Sequence, residues 1–291
     1  MPEENVSLAR FTTIGTGGPA RWFARPDSID ELQDALRWAA ENGMEVHAIG
    51  LGSNLLVHDD GVGALVLKLS GALAAAEVDG DLLVMGGGAP NAVGLHRARA
   101  AGLGGFEFAS AIPGTAGGGV RMNAGAYGRE WSDVMIDAVI VDASGARTVD
   151  VAELGLSYRR SGLRPGEVVA SVRFGLEPST PDAVKAIAAE LLAQRKATQP
   201  TNKRTFGSVF KNPGGDRGAG RLIEDVGLKG QRSGGAVISP RHANFIENEG
   251  DATTEDCIAL MSEARRRVHE QFGVVLEHEV QFLGPLELPA M

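Results

Sequence analysis

The stretch Ile112–Gly128, IPGTAGGGVRMNAGAYG, carries six glycines in seventeen residues and almost no side chain suited to chemistry. Ordering glycine costs more backbone entropy than ordering any other residue, so a run this dense is kept where bare backbone is needed, for positive φ or for close approach to main-chain N–H groups. Tight turns and a phosphate cradle both meet that condition. Working outward, a second small-residue loop, GLGSN, precedes the apolar LLV and reads as a strand-to-strand turn, with Ser53 and Asn54 as extra donors. One such loop is an ordinary turn. Two together, neither containing lysine, are what a dinucleotide pyrophosphate held by neutral dipoles requires, and they predict an extended cofactor.

The other nucleotide-site patterns fail. No Gly-Lys is followed by Ser or Thr, which removes a P-loop. GTGGPA, from Gly15, formally fits G-x-G-x-x-A, but Pro19 falls in the helix entry and the preceding ARFTTI is a poor buried strand. The six histidines form no H-x-H or H-x-x-x-H pair and the single cysteine, Cys257, lies on a helical apolar stripe, so no metal site is expected. One cysteine also excludes an intrachain disulfide and fits a reducing compartment. A net charge of −9 offers no electrostatic footprint for nucleic acid or an anionic membrane. The start of the chain is polar and unlike a signal peptide, and no apolar run approaches ~20 residues. These features predict a cytoplasmic globular protein with 43% hydrophobic residues, enough for a full core.

Local patterns give an α+β chain in three pieces, 1–88, 89–197 and 198–291. The first holds a helix with a Ser28–Glu31 capping box, closed by Gly43, and strands in EVHAIG, ALVLKL and LLVMGG. The second starts with a helix near Pro90–Ala101, has a hairpin turning at Ser144 and Gly145, a strand in EVVASVRFGLE, and a helix capped by Ser179 or Thr180 whose inward face is Val184, Ile187, Ala188, Leu191 and Leu192. The third holds a strand TFGSVFKN, a short helix around GRLIEDVG, a long helix over Thr254–Phe272 stopped by Gly273, and a strand VVLEHEVQF.

Acid–base candidates come from three places, each with a plain alternative. Glu277 and Glu279 share one face of the last strand and either perturb each other's ionisation or form a solvated acidic edge. Tyr158, Arg159 and Arg160 are a site or a surface ion-pair cluster. Ser208 falls on the strand face of Phe206 and Phe210, opposite Lys211, as a hydrogen-bonded filler or a shielded proton donor.

Eight blocks in chain order, TTIGTGGPA, GLGSNLLV, IPGTAGGGVRMNAGAYG, SYRRS, GSVFKNP, GLKGQRSGGAVIS, HANFI and GVVLEHEV, resemble those of the UDP-N-acetylenolpyruvoylglucosamine reductase family over nearly the whole chain. The resemblance implies a two-part FAD-binding domain of the vanillyl-alcohol-oxidase (PCMH) class, over 1–88 and 89–197, and a C-terminal α+β substrate-binding domain. It implies noncovalent FAD, NADPH as co-substrate, and reduction of the enolpyruvyl group of UDP-N-acetylglucosamine enolpyruvate to UDP-N-acetylmuramate in bacterial peptidoglycan synthesis. Gly50, Gly52, Ser53 and Asn54, with Pro113, Gly114, Thr115, Gly118, Gly119, Asn123, Gly125 and Ala126, match the loops that wrap FAD. Arg159 matches the group that holds the substrate carboxyl, Ser208 the proton donor, and Glu279 a partner acid, with Glu277 supporting. Tyr158, Asn212 and Lys229 match substrate contacts, Lys229 at the diphosphate, and no obligate protein partner is implied. The short span between Arg159 and Ser208 resembles the shorter of the family's two types, and Gln281 departs from a frequent arginine. Two rivals remain: an FAD oxidase of a sugar or alcohol with the same fold, and a non-catalytic nucleotide-sugar binding protein.

Overall fold

The computed structural model describes residues 2–291. Contact density divides the chain into two compact units, and the division does not follow chain order. Among the described residues, the first unit gathers 2–4, 22–51 and 64–195, and the second gathers 5–21, 52–63 and 196–291.

In the first unit, helix α1 (Ile29–Glu41) starts where Ser28 Oγ accepts the Glu31 N–H at 3.3 Å, and Gly43 follows with φ +62°. Its buried stripe of Leu32, Leu36 and Ala39 packs with Leu65, Leu67, Val141, Val168 and Ala170. The strand Val46–Ala48 pairs in parallel with Leu65–Leu67. A five-stranded antiparallel sheet runs in the order Gly145–Asp150, Met135–Asp142, Val168–Gly175, Leu82–Gly86, Ala76–Asp79. Its hairpin closes one residue earlier than predicted, with Asp142 opposite Gly145. Asp142 accepts the Ser144 and Gly145 N–H groups, and its bond from Ser144 Oγ is the chief reason that its carboxyl sits below the usual range. Helix α2 (Asn91–Ala100) packs against this sheet, and a core of Phe106, Phe108, Trp131 and Phe174 fills the space below it in edge-on contacts.

Seven of the seventeen residues of the glycine-rich stretch are helical. Helix α3 spans Ala116–Met122, with Thr115 as N-cap and Asn123 as a left-handed C-cap at φ 38°. Three adjacent glycines oppose a helix by about 1 kcal/mol each, so propensity alone gives a loop. Packing overrides it. A Cβ on Gly117 would stand 2.9 Å from the Gly87 carbonyl oxygen, and one on Gly119 would stand 2.3 Å from Trp131 Cε2, so only glycine lets α3 lie this close to the backbone and indole beneath it. Helix α4 (Pro181–Thr198) begins at a Thr180 cap, as expected, but of its predicted inward face only Val184 is buried and Ile187 is 47% exposed. Polar bonds add to its anchorage in this unit: Tyr127 donates to Leu191 O at 3.1 Å and Arg195 to Ala111 O at 2.9 Å.

In the second unit, an antiparallel sheet runs Arg204–Thr205, Ile246–Asn248, Ala236–Ile238, Arg232–Ser233. Helices α5 (Ala219–Asp225) and α6 (Thr254–Phe272) enclose one core with it, to which α6 contributes Cys257, Leu260, Met261, Ala264 and Val268. Burial pushes the Cys257 thiol up to about 12, so it stays protonated and inert. Early segments of the chain complete this unit. Leu55–Val57 pairs in parallel with Gln281–Leu283, and Asp59 accepts the Thr254 and Glu255 N–H groups at the start of α6. The Thr254 hydroxyl donates to Val57 O at 2.6 Å and meets Thr16 Oγ1 at 2.9 Å. The two long strands predicted here are shorter: Ser208 lies outside regular strand because Gly207 takes φ +82°, and the last strand is confined to Gln281–Leu283.

Candidate functional site

Gly50 and Thr115, one from each glycine loop, meet inside the first unit. Gly50 packs so closely on Thr115 that a Cβ there would be 2.6 Å from Thr115 Oγ1, and Pro90 bridges to Thr115 from the other side. A residue absent from the sequence reading holds this arrangement. Lys68 Nζ donates to Gly50 O at 2.7 Å, and burial, aided by the charge of Arg25, draws its ammonium below its ordinary pKa. Asn91, buried at the start of α2, braces the same region by donating to Ile112 O and to Gly114 O.

The backbone donors decide how these loops suit a pyrophosphate. At α3 most are already used: Ala116 N–H goes to Ala89 O, Gly117 to Gly87 O and Gly119 to Thr115 O, all within 3.0 Å. Gly118 N–H makes only a 3.4 Å bond to Thr115 Oγ1, and Gly118 is exposed, with a Cβ there meeting Thr115 Oγ1 at an ordinary 3.5 Å. In the other loop the N–H groups of Gly52 and Asn54 meet no protein acceptor among the described residues. The stretch thus serves two purposes, internal packing at Gly117 and Gly119 and an outward bare backbone at Gly118, and the outward part fits an extended dinucleotide. Gly119→Ala is therefore expected to lower stability by about 1–3 kcal/mol through overpacking against Trp131, whereas Gly118→Ala leaves the melting temperature near wild type and alters flavin content instead. Thermal unfolding and the flavin-to-protein absorbance ratio measure both.

Arg159 occupies a tight turn in the same unit. Ser157 and Arg160 exchange backbone bonds at 3.0 Å, with Tyr158 and Arg159 at the tip, and Arg159 has φ +53°. A non-glycine residue there carries strain of order 1–3 kcal/mol. The guanidinium donates to Gly125 O at 2.9 Å and lies 5.0 Å from the Tyr158 ring centroid. Asn123, expected among the cofactor contacts, has its side chain committed internally, accepting from Ser132 N–H and donating to Glu130 and to Ser157 O.

Ser208, Glu279, Asn212 and Lys229 belong to the second unit. Glu279 N–H donates to Val209 O at 2.8 Å, Asn54 Nδ2 to Glu279 O at 3.2 Å, and a Cβ on Gly207 would come within 3.0 Å of Ser53 O. Gly52–Asn54, Gly207–Phe210 and Glu277–Gln281 therefore converge, and the half-buried Ser208 hydroxyl has no hydrogen-bond partner among the described residues. Asn244, buried and unforeseen, fixes the Ser208 segment by clamping both polar backbone groups of Phe210. Glu277 forms an ion pair with Lys211 at 2.5 Å, away from Glu279. Asn212 Oδ1 accepts the Ala219 N–H at the start of α5. Lys229 pairs with Glu224 at 2.9 Å, its bond holding that carboxyl below its usual range. His242 lies close by, its imidazole drawn below the ordinary pKa mainly by burial. Among the described residues no cluster of His, Cys, Asp or Glu is placed to hold a metal, and no helix is long and apolar enough to cross a membrane.

The chain is an α+β protein that sets glycine loops beside an antiparallel sheet in its first unit and joins early segments to the C-terminal third in its second, and its FAD-binding domain makes it a flavoprotein. An FAD binding domain family model matches residues 20–149, and a model of the UDP-N-acetylenolpyruvoylglucosamine reductase C-terminal domain matches 199–283. The chain belongs to the UDP-N-acetylenolpyruvoylglucosamine reductase family. It is 47% identical over 280 residues to the reductase of Anaeromyxobacter dehalogenans, covering 96% of this chain and 85% of that one. It is 44% identical over 279 residues to reductase 2 of Symbiobacterium thermophilum, covering 95% and 90%. The crystal structure of the Thermus caldophilus reductase (MurB) superposes with a TM-score of 0.85 at 36% identity, covering 97% of this chain and all of that one.

Proposed function

We propose that Arg159, Ser208 and Glu279 carry the family's reaction in this chain, the NADPH-dependent reduction of the enolpyruvyl group of UDP-N-acetylglucosamine enolpyruvate in peptidoglycan synthesis. FAD, held by the loops Gly50–Asn54 and Pro113–Ala126, would supply the hydride, drawn from NADPH, that C3 of that group takes up. The addition leaves carbanion or enolate character at C2 beside the substrate carboxylate. Arg159 holds that carboxylate through its fork of donors as negative charge develops, a stabilisation worth most where water is excluded. Ser208 protonates C2; a serine hydroxyl is a weak acid, but a C2 carbanion is a far stronger base than water. Glu279 is the partner acid. Tyr158, Asn212 and Lys229 contact the substrate, Lys229 at the diphosphate, and FAD binds against Gly50–Asn54 and Pro113–Ala126. We assign cofactor binding to 1–88 and 89–197 and substrate binding to 198–291. The protein acts in the cytoplasm, where NADPH and nucleotide sugars are made, with no obligate protein partner.

The observation that carries this reading is the conformation of Arg159, a strained left-handed cation kept on the carbonyl of the glycine loop, since strain of this kind persists at functional sites. The absorption spectrum of the purified protein tests the whole. The expected protein is yellow, releases flavin on acid precipitation, is bleached by NADPH and recovers colour when the enolpyruvyl nucleotide sugar is added. A colourless protein would support the binding-protein alternative. Flavin retained in the acid pellet would support a covalent oxidase.

A further inference from the structure

Arg159 does not hold its own conformation. Arginine leaves the left-handed region unless surrounding bonds keep it there, and its loop is stapled to α3 and the residues after it. Asn123 Nδ2 donates to Ser157 O at 3.4 Å, Arg159 Nη2 to Gly125 O at 2.9 Å, Arg121 Nη1 to Leu163 O at 3.0 Å, and Ser161 Oγ to Arg121 O at 2.9 Å. Asn123 is the centre of this set. It is 1% exposed, it ends α3 in a left-handed conformation, and it accepts the Ser132 N–H at 3.0 Å. Its orientation is set in turn by Glu130, whose Oε2 accepts from Asn123 Nδ2 at 2.8 Å. A carboxylate is acceptor-only, so it fixes which end of the amide faces Ser132 and which faces Ser157. Glu130 is itself immobilised, because it caps the turn Trp131–Asp133 reciprocally with Asp133, and Trp131 is fully buried against Gly119.

We propose that Glu130 and Asn123 are positioning residues of the reaction: Glu130 orients Asn123, Asn123 holds the Ser157 carbonyl, and the Ser157–Arg160 turn thereby presents Arg159. The residue that ends the cofactor-loop helix and the residue that meets the substrate carboxylate are then parts of one rigid network. This inference rests on the reading of Arg159 as the substrate's cation. The Asn123 side chain spends its bonds on Glu130, Ser132 and Ser157, so it and Glu130 reach the substrate carboxylate through Arg159.

Three variants separate this role from plain stability. Glu130→Ala removes the acceptor, Glu130→Gln keeps one, and Asn123→Gly tolerates the left-handed backbone while deleting every side-chain bond. For Glu130→Ala, kcat/KM for the enolpyruvyl substrate is expected to fall roughly 10- to 100-fold, the cost of a small misplacement of a catalytic group, with the rate of flavin bleaching by NADPH unchanged. Asn123→Gly is expected to lose as much kcat/KM, and Glu130→Gln to remain within about threefold of wild type, in keeping with a retained hydrogen bond. Hydrogen exchange of the Ser157 and Arg160 amides in the purified holoprotein should speed up in Glu130→Ala and Asn123→Gly while the sheet amides hold. In an Arg159→Ala background, adding Glu130→Ala should cost nothing more. Wild-type kcat/KM and wild-type exchange in folded Glu130→Ala or Asn123→Gly overturn the proposal, as does a fully additive loss in the double variant. If Glu130→Ala does not fold, Asn123→Gly and the Glu130→Gln comparison decide by the same measurements. Normal turnover of Arg159→Ala alone would instead overturn the role given to Arg159, leaving the exchange result to show whether the network holds the turn.

Discussion

Replacing Ser208 by alanine is expected to leave the NADPH half of the reaction intact and to slow reoxidation by the enolpyruvyl substrate by ~10²- to 10⁴-fold, the usual contribution of a positioned proton donor. The two halves separate cleanly in stopped-flow absorbance because hydride arrival at the flavin needs no proton from this hydroxyl. The fold should tolerate the change. Ser208 is only half-buried, and its segment is held by backbone bonds and by Asn244 instead of by the hydroxyl. Cysteine at this position should retain more activity than alanine, since a thiol is the stronger acid. Equal impairment of both halves would make the residue a structural one, and impairment of neither would take this segment out of the active site.

Arg159→Lys should cost nearly as much turnover by a different route. Lysine keeps the charge but not the planar fork that grips a carboxylate with two parallel bonds, and losing one donor to developing negative charge commonly costs about 10²- to 10³-fold in kcat. The left-handed backbone adds a second expectation. Arg159→Gly should be more stable than Arg159→Ala by roughly 1 kcal/mol, because glycine alone accepts φ +53° without strain. Both glycine and alanine variants should be equally poor catalysts. A thermal melt and a steady-state assay therefore rank the three substitutions differently. Identical melting temperatures for Arg159→Gly and Arg159→Ala would show that the strain inferred from φ is absent in solution.

Much of the helical structure was legible because helix signals are local: Ser28 with Glu31, Thr180 and Gly273 each mark an end that the structure keeps. The proximity of Gly50 to Thr115 was legible only as an inference from two loops of like composition, and α3 was not legible at all. Its glycines argue against a helix until Gly87 and Trp131 are in place, and both are distant in sequence. The alternation of Phe206, Ser208 and Phe210 predicted a strand that Gly207 breaks with a positive φ. Lys68, Asn244 and Glu130 escaped notice for a common reason. Each acts by holding backbone or another side chain, and a residue whose partner is a carbonyl or an amide elsewhere in the chain leaves no local pattern.

The assignment of residues 5–21 and 52–63 to the same unit as residues 196–291 has a consequence for biosynthesis. A ribosome adding ~5–20 residues per second makes the Leu55–Val57 strand roughly ten to forty-five seconds before its partner, Gln281–Leu283. Through that interval Leu56 and Val57, fully buried in the finished protein, have neither partner strand nor α6. The nascent chain thus carries an unpaired apolar strand through most of its translation, and these segments are where a trigger-type chaperone would bind and where a stalled or truncated chain would aggregate.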